Sequence, residues 1–140
     1  MSKIFWDTNL FIYLFEDYDS LSQRAAEIRQ QMNIRGDILY TSTLTLGEVL
    51  VKPIEARDEV LRHKYEAALI KTANLIPFNR EAALIYAEVR RDRSLRAPDA
   101  IQLACAALEH VDLFFTNDDR LSRKSVPGIQ FIQPISKAFL

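Results

Sequence analysis

Short apolar segments alternate with longer helical patterns along the whole chain, and this alternation is the strongest constraint on the fold. Parallel strands need a crossover between them, usually a helix, whereas antiparallel strands can be joined by tight turns. We therefore expect an α/β fold: a three-layer α/β/α sandwich with a mostly parallel sheet of four to five strands. The predicted strands are 4–7, 38–41, 75–78, 113–116 and 129–132.

Helix start and stop residues lie between these strands. Thr8 or Asn9 would cap a short helix after the first strand. Pro53 is predicted to end a helix that begins at residue 44. Pro98 fits the first turn of a later, almost entirely apolar helix, which should be buried. The predicted helices end near residues 15, 35, 51, 73, 93, 108 and 124.

The composition indicates a packed, water-soluble chain. Of 140 residues, 49% are hydrophobic and 26% are charged, which supports a single domain over residues 1–140. The net charge of -1 argues against a strongly basic nucleic-acid clamp but allows a local basic patch. The lone Cys105 is expected in the core. No segment approaches the ~20 apolar residues of a membrane span, so we expect a cytoplasmic protein with no membrane partner.

Four acidic residues stand where predicted strands end or helices begin. Asp7 ends the first strand and Asp118 follows the fourth, whereas Glu48 and Asp99 lie in early turns of helices. In a parallel α/β fold, ligands bind outside the carboxyl ends of the strands, where the following helices begin. We therefore expect these four carboxylates to converge at one edge of the sheet.

Each acid also has a purely structural interpretation. Asp7 could bind its own backbone in a turn. Glu48 could complete a capping box, and Asp99 could serve only as a charge at a helix N-terminus. Asp118 could be a helix N-cap, and Asp119 is an equal rival for that position.

Clustered carboxylates repel one another, so a site built from them requires positive charge. Hard divalent cations take oxygen ligands, which makes Mg²⁺ the expected cofactor, with Mn²⁺ as a substitute. Two such ions could activate a water and stabilise the leaving oxygen of a phosphodiester. Zinc is not expected, because cysteines and paired histidines do not accompany the acids. The residues expected to orient carboxylates or waters are Thr8, Asn9, Thr116, Asn117 and Asp119.

Basic residues flank the predicted acid site on both sides in the sequence. Their side chains could bind the phosphates of a nucleic acid, although each could also lie on a solvated helix face. The candidates for RNA binding are Arg90, Arg91, Arg93, Arg96, Arg120, Arg123 and Lys124.

Four motifs together resemble a known family. They are Ile4-Phe5-Trp6-Asp7-Thr8-Asn9, the hydroxyl-rich run that leads to Glu48, Ala97-Pro98-Asp99-Ala100-Ile101, and Phe114-Phe115-Thr116-Asn117-Asp118. In this order and spacing they resemble the PIN-domain ribonucleases, most closely the VapC-type toxins of toxin–antitoxin pairs.

The resemblance implies a PIN-like α/β/α sandwich that acts as a Mg²⁺- or Mn²⁺-dependent endoribonuclease on an RNA substrate. It assigns metal binding and water activation to Asp7, Glu48, Asp99 and Asp118, with the last at the family's least constant position. It also implies a homodimer and an inhibitory antitoxin as partner.

Two other functions fit parts of the pattern. A haloacid dehalogenase-type phosphatase also starts with a strand that ends in Asp and finishes with a pair like Asp118-Asp119. Those enzymes need a second Asp two residues after the first, and Asn9 occupies that position here. The non-enzymatic alternative is a PIN-like module that binds RNA or a partner without cleavage, against which four intact carboxylates argue.

Overall fold

A five-stranded parallel sheet forms the centre of the protein, in a computed structural model that describes residues 1–138. Its strands are β1 (Lys3–Trp6), β2 (Ile38–Ser42), β3 (Asn74–Ile76), β4 (Leu113–Thr116) and β5 (Phe131–Pro134), in the order β3-β2-β1-β4-β5. The central β1 places Phe5 opposite Tyr40 of β2 and Phe114 of β4. The predicted parallel sheet is confirmed. The last two positions of the predicted 1–140 domain lie outside the described residues.

Helices cover both faces of the sheet. They are α1 (Thr8–Phe15), α2 (Ser20–Arg35), α3 (Thr43–Val49), α4 (Val51–Glu55), α5 (Glu59–Thr72), α6 (Arg80–Val89), α7 (Ala97–Leu108) and α8 (Asp119–Ser122), with a 3-10 turn at Ile135–Lys137. Within residues 1–138, none of them has the length and apolar character needed to cross a membrane.

Side chains of β1 alternate between two apolar cores, as the two-residue period of a strand requires. Phe5 packs in one core with residues of α6 and α7, and its ring stacks on Phe114 at a centroid distance of 4.9 Å. Ile4 and Trp6 pack in the other core, with residues of α1, α2 and α5. The three-layer α/β/α arrangement is therefore confirmed.

Two predicted helix ends are wrong, for local reasons. Asp7, rather than Thr8 or Asn9, caps α1, because its carboxylate accepts a hydrogen bond from the Thr8 backbone N–H at 2.8 Å. Pro53 does not end a helix. The chain ends α3 at Val49 and begins α4 at Val51, so that Pro53 lies in a first turn. A missing backbone N–H is tolerated there.

Other boundaries differ by a few residues. α5 begins at Glu59 rather than 55, because the Asp58 side chain caps it by accepting from the Leu61 N–H at 3.0 Å. α6 ends at Val89 rather than near 93. β5 lies two residues later than predicted, because the N–H of Ile129 bonds to a turn carbonyl, that of Val126, at 3.0 Å.

The carboxyl ends of β1, β2 and β4 lie side by side at one edge of the sheet. α1 begins two residues after the end of β1, and α3 follows β2 directly. A two-residue loop joins β4 to α8. This edge therefore collects polar residues from three separate segments of the chain.

Candidate functional site

A cavity of about 440 Å³ opens at this edge of the sheet. All four predicted acids line it, together with Thr8, Asn9 and Gln102; they are Asp7, Glu48, Asp99 and Asp118. The structure thus brings carboxylates from four distant segments to one place, as the parallel topology leads one to expect.

Neutral donors hold Asp7 at the end of β1. Its Oδ1 accepts from the Thr8 backbone N–H at 2.8 Å, and its Oδ2 accepts from the Thr116 hydroxyl at 3.0 Å. Burial raises the pKa of Asp7 to about 6, the two hydrogen bonds oppose this rise, and the charges of Asp99 and Glu48 add to it. The ionised Asp7 carboxylate is therefore short of positive charge.

Glu48 of α3 accepts a hydrogen bond from a residue of α1. Its Oε1 accepts a hydrogen bond from the Thr8 hydroxyl at 2.6 Å. The capping-box interpretation is wrong, because Ser42 is the N-cap of α3 and Thr45, the partner it required, lies inside the helix. The residue next to Asp7 in the chain thus positions the second acid.

Asp99 and Asp118 share one guanidinium group. Nη2 of Arg120 lies 3.2 Å from Oδ2 of Asp99 and 3.3 Å from Oδ2 of Asp118. Nη1 donates to the carbonyl oxygen of Ser94 at 3.1 Å. Burial raises the pKa of Asp99, the Arg120 charge lowers it, and the Asp118 charge raises it. Arg120 therefore supplies positive charge on this side of the cavity.

Asp118 combines two roles that the sequence left as alternatives. As the N-cap of α8, its Oδ1 accepts from the backbone N–H groups of Arg120 at 2.9 Å and Leu121 at 3.4 Å. It also lines the cavity. Asp119 is the first residue of α8, is exposed, and lies outside the cavity lining. The geometry therefore favours Asp118 over Asp119 as the fourth acid.

The residues predicted to orient the carboxylates lie in different places. Thr8 and Thr116 bond directly to acids, and Asn9 lines the cavity. Asn117 instead donates through Nδ2 to the Tyr13 hydroxyl at 2.8 Å.

A buried polar network beneath the cavity was not predicted. Gln102 in α7 is 2% exposed, and its Nε2 donates to the hydroxyls of Thr8 at 2.9 Å and Thr45 at 2.8 Å. Its Oε1 accepts from the Ser42 hydroxyl. The signal was present in the sequence: a glutamine inside an otherwise apolar helix must find partners when it is buried.

The seven candidate RNA-binding residues have different surroundings. Arg120 binds the acids, whereas Lys124 pairs with Asp92 at 2.8 Å. Arg96 stands at the start of α7, and Arg123 is exposed at the end of α8. A separate surface depression is lined by Arg90, Arg91 and Arg93.

The donor set suits a hard divalent cation. The four acids offer carboxylate oxygens, which Mg²⁺ and Mn²⁺ prefer, and their mutual repulsion contributes to the raised pKa values of Asp7 and Asp99. Within residues 1–138, no three acidic, histidine or cysteine side chains are already grouped as a metal cluster. For all four acids to bind one cation, Arg120 would have to release Asp99 and Asp118.

The fold and the cavity define an α/β protein with a candidate acidic metal centre. Residues 4–127 match the sequence model of the PIN domain. Because this match covers most of the chain and includes all four cavity acids, the chain belongs to the PIN domain family. The match also favours a PIN-type function over the phosphatase alternative. No protein of curated function matches the sequence.

Solved structures of toxin–antitoxin complexes have a similar fold. VapBC2 from Rickettsia felis, bound to a DNA fragment from its promoter, has a TM-score of 0.75 at 13% identity, covering 94% of this chain and 98% of the other. A toxin–antitoxin complex from Klebsiella pneumoniae has a TM-score of 0.63 at 23% identity, covering 90% and 94%. DNA-bound VapBC from Salmonella typhimurium has a TM-score of 0.67 at 19% identity, covering 96% and 99%. At these identities the likeness establishes the fold alone.

Proposed function

We propose that this PIN domain is a divalent-metal-dependent endoribonuclease. The observation that carries the proposal is the gathering of four carboxylates around one cavity: Asp7, Glu48, Asp99 and Asp118. Carboxylates that line one cavity repel one another unless a cation compensates their charge. Membership of the PIN family supports the same conclusion.

The four acids would hold Mg²⁺ or Mn²⁺, which when bound would neutralise phosphate charge and lower the pKa of a water molecule. The remaining roles follow from the protein's own hydrogen bonds. Thr116 and the Thr8 N–H restrain Asp7 through both of its oxygens. The Thr8 hydroxyl donates to Oε1 of Glu48, which leaves Oε2 available to the cation.

RNA is the proposed substrate. Arg120 and Arg96 stand beside Asp99, where a guanidinium could bind a phosphate adjacent to the cleaved one. A second contact region would be the depression lined by Arg90, Arg91 and Arg93. Contacts of this kind position a nucleic acid without reading its sequence.

We further propose that the chain is the toxin of a toxin–antitoxin pair and acts in the cytoplasm as a homodimer. Solved toxin–antitoxin complexes that share its fold over nearly the whole chain support the toxin assignment and an antitoxin partner. Two apolar side chains of α4, Val51 and Ile54, are about half exposed, and Val51 lines the cavity. Exposed apolar surface beside an active site suits an inhibitory protein partner.

A PIN-like module that binds RNA or a partner without cleavage is the second candidate. The ion pairs of Arg120 favour it, because they compensate Asp99 and Asp118 within the chain itself. A permanently retained guanidinium would leave fewer acids for a cation.

Cleavage of end-labelled RNA by the purified protein tests the proposal. The wild type should cleave with Mg²⁺ or Mn²⁺ and stop when a chelator is added. Asp99→Asn should lower the cleavage rate by more than roughly 10–100-fold. That range is the loss of activity or metal affinity when a residue that merely supports a metal ligand is removed. The matched control is Glu27→Gln, which removes an exposed acid of α2 that pairs with Arg24 at 3.4 Å; it should cleave like the wild type.

Equal cleavage by the wild type and Asp99→Asn, or cleavage that persists in chelator, would contradict the metal-centre assignment. RNA binding without cleavage in the presence of either ion would support the binding module. Growth inhibition on expression, relieved by Asp99→Asn and by a co-expressed antitoxin, would support the toxin proposal.

A further inference from the structure

Gln102 is a polar residue in one of the most buried parts of the protein. It lies three residues after Asp99 in α7 and is 2% exposed, and the next residues, Leu103 and Ala104, are fully buried. Burying a primary amide is unfavourable unless its donors and acceptor are all paired. Its hydrogen bonds therefore indicate what the residue does.

Both ends of the Gln102 amide are paired. Nε2 donates to Thr8 Oγ1 at 2.9 Å and to Thr45 Oγ1 at 2.8 Å, while Oε1 accepts from the Ser42 hydroxyl. The Ser42 and Thr45 side chains are fully buried, and Thr8 is 7% exposed. Water has little access to replace these partners.

The direction of these hydrogen bonds follows from the chemistry of Glu48. An ionised carboxylate can only accept, so the Thr8 hydroxyl uses its single hydrogen in the 2.6 Å bond to Oε1 of Glu48. Towards Gln102, the Thr8 hydroxyl oxygen can then only accept a hydrogen bond. The amide nitrogen of Gln102, rather than its oxygen, must therefore face Thr8. Without Gln102, the Thr8 hydrogen could turn to Thr45 Oγ1, only 3.1 Å away.

We propose that Gln102 is a positioning residue, which acts through the Thr8 hydroxyl to hold Glu48 in the acid site. The inference rests on the proposed metal-dependent function, because it concerns the readiness of Glu48 to bind a cation. Gln102 itself need not touch the metal or the RNA. Residues that support a metal ligand in this way typically contribute about 10–100-fold to affinity.

The first experiment measures Mn²⁺ binding by isothermal titration calorimetry. Gln102→Met keeps the length of the side chain but removes its donors and acceptor, and should weaken Mn²⁺ binding by about 10–100-fold. The packing control is Leu103→Met, a volume-conserving change at the adjacent buried position. It should bind Mn²⁺ like the wild type. Thermal melting would confirm that each variant is folded at the temperature of the titration.

The second experiment asks whether the effect passes through Thr8 and Glu48. In a Glu48→Gln background, Gln102→Met should cause little further loss, because interacting residues are not additive. Thr8→Val removes the hydroxyl that bonds to Glu48, so it should weaken Mn²⁺ binding as Gln102→Met does, although α7 is unchanged. Thr8→Ser retains the hydroxyl and should bind Mn²⁺ with nearly the wild-type affinity.

The outcomes separate the inference from the proposed function. Wild-type Mn²⁺ binding with an unchanged affinity in folded Gln102→Met would overturn the inference alone. If Gln102→Met weakened binding equally with and without the Glu48→Gln substitution, the inference would be overturned as well, since the effect would not involve Glu48. Failure of the wild type to bind Mn²⁺ would overturn the proposed function and the inference with it.

Discussion

Replacement of Asp7 by asparagine should stabilise the metal-free protein at neutral pH, even though the proposed function requires this acid. Asp7 lies partly buried at the end of β1, where burial raises its pKa from 3.8 to about 6. The native state therefore binds the Asp7 proton more tightly than the unfolded chain does. At pH 7 the Asp7 carboxyl is ionised in both states, and its burial in the native state lowers the free energy of unfolding.

The magnitude and sign follow from proton linkage. At about 1.36 kcal/mol per pKa unit, the difference between 3.8 and about 6 corresponds to roughly 3 kcal/mol. Between these two pH values the native state binds more protons than the unfolded state, so the free energy of unfolding falls as pH rises. Above about pH 6 this contribution is constant. Asparagine does not titrate, so the free energy of unfolding of Asp7→Asn should not fall in this way as pH rises.

Urea unfolding in chelator, at intervals from pH 4 to pH 8, would measure the effect. The advantage of Asp7→Asn over the wild type should grow through pH 4–6 by about 3 kcal/mol and then level off. Glu88→Gln, which removes an exposed acid, should show no such growth. Saturating Mg²⁺ should stabilise the wild type but not Asp7→Asn. A stability difference that does not change with pH would refute the reasoning.

Two further predictions test the arginine and a tight turn. Arg120→Gln should strengthen Mn²⁺ binding several-fold in calorimetry, because each exposed ion pair that the metal must break contributes about 0.2–1 kcal/mol; equal or weaker binding would show that Arg120 does not compete. Gly128→Ala should lower the free energy of unfolding by more than about 1 kcal/mol, since Gly128 has a φ of +97° and a Cβ there would lie 2.9 Å from the Ala107 carbonyl oxygen. Unchanged thermal melting would contradict this second expectation.

The sheet and the gathering of the acids were predictable because both follow from local patterns and topology. The apolar run 113–116 coincides with β4, and parallel strands bring their carboxyl ends to one edge whatever their order in space. The position of Asp118 in the cavity therefore needed no knowledge of side-chain contacts. The end of the first predicted strand was less secure, since Asp7 belongs to the cap of α1 rather than to β1.

Side-chain partners far apart in sequence were not predictable. Arg120 follows Asp118 by two residues and looked like a phosphate-binding cation, but its contact with Asp99 spans 21 residues. The bonds of Gln102 to Thr8 and Thr45 span 94 and 57 residues. Such contacts depend on the packing of α7 against β2 and α3, which no local pattern encodes.

The four acids divide into two pairs with different electrostatic needs. The outer pair, Asp99 and Asp118, shares the guanidinium of Arg120. For the inner acids, Asp7 and Glu48, the hydrogen bonds found within residues 1–138 come from neutral donors, namely hydroxyls and a backbone N–H. Neutral donors offset burial only in part, as the raised pKa of Asp7 shows. Under the proposed function, a cation should therefore engage the inner acids first, and Arg120 would then be free to leave the outer acids for a phosphate of the RNA.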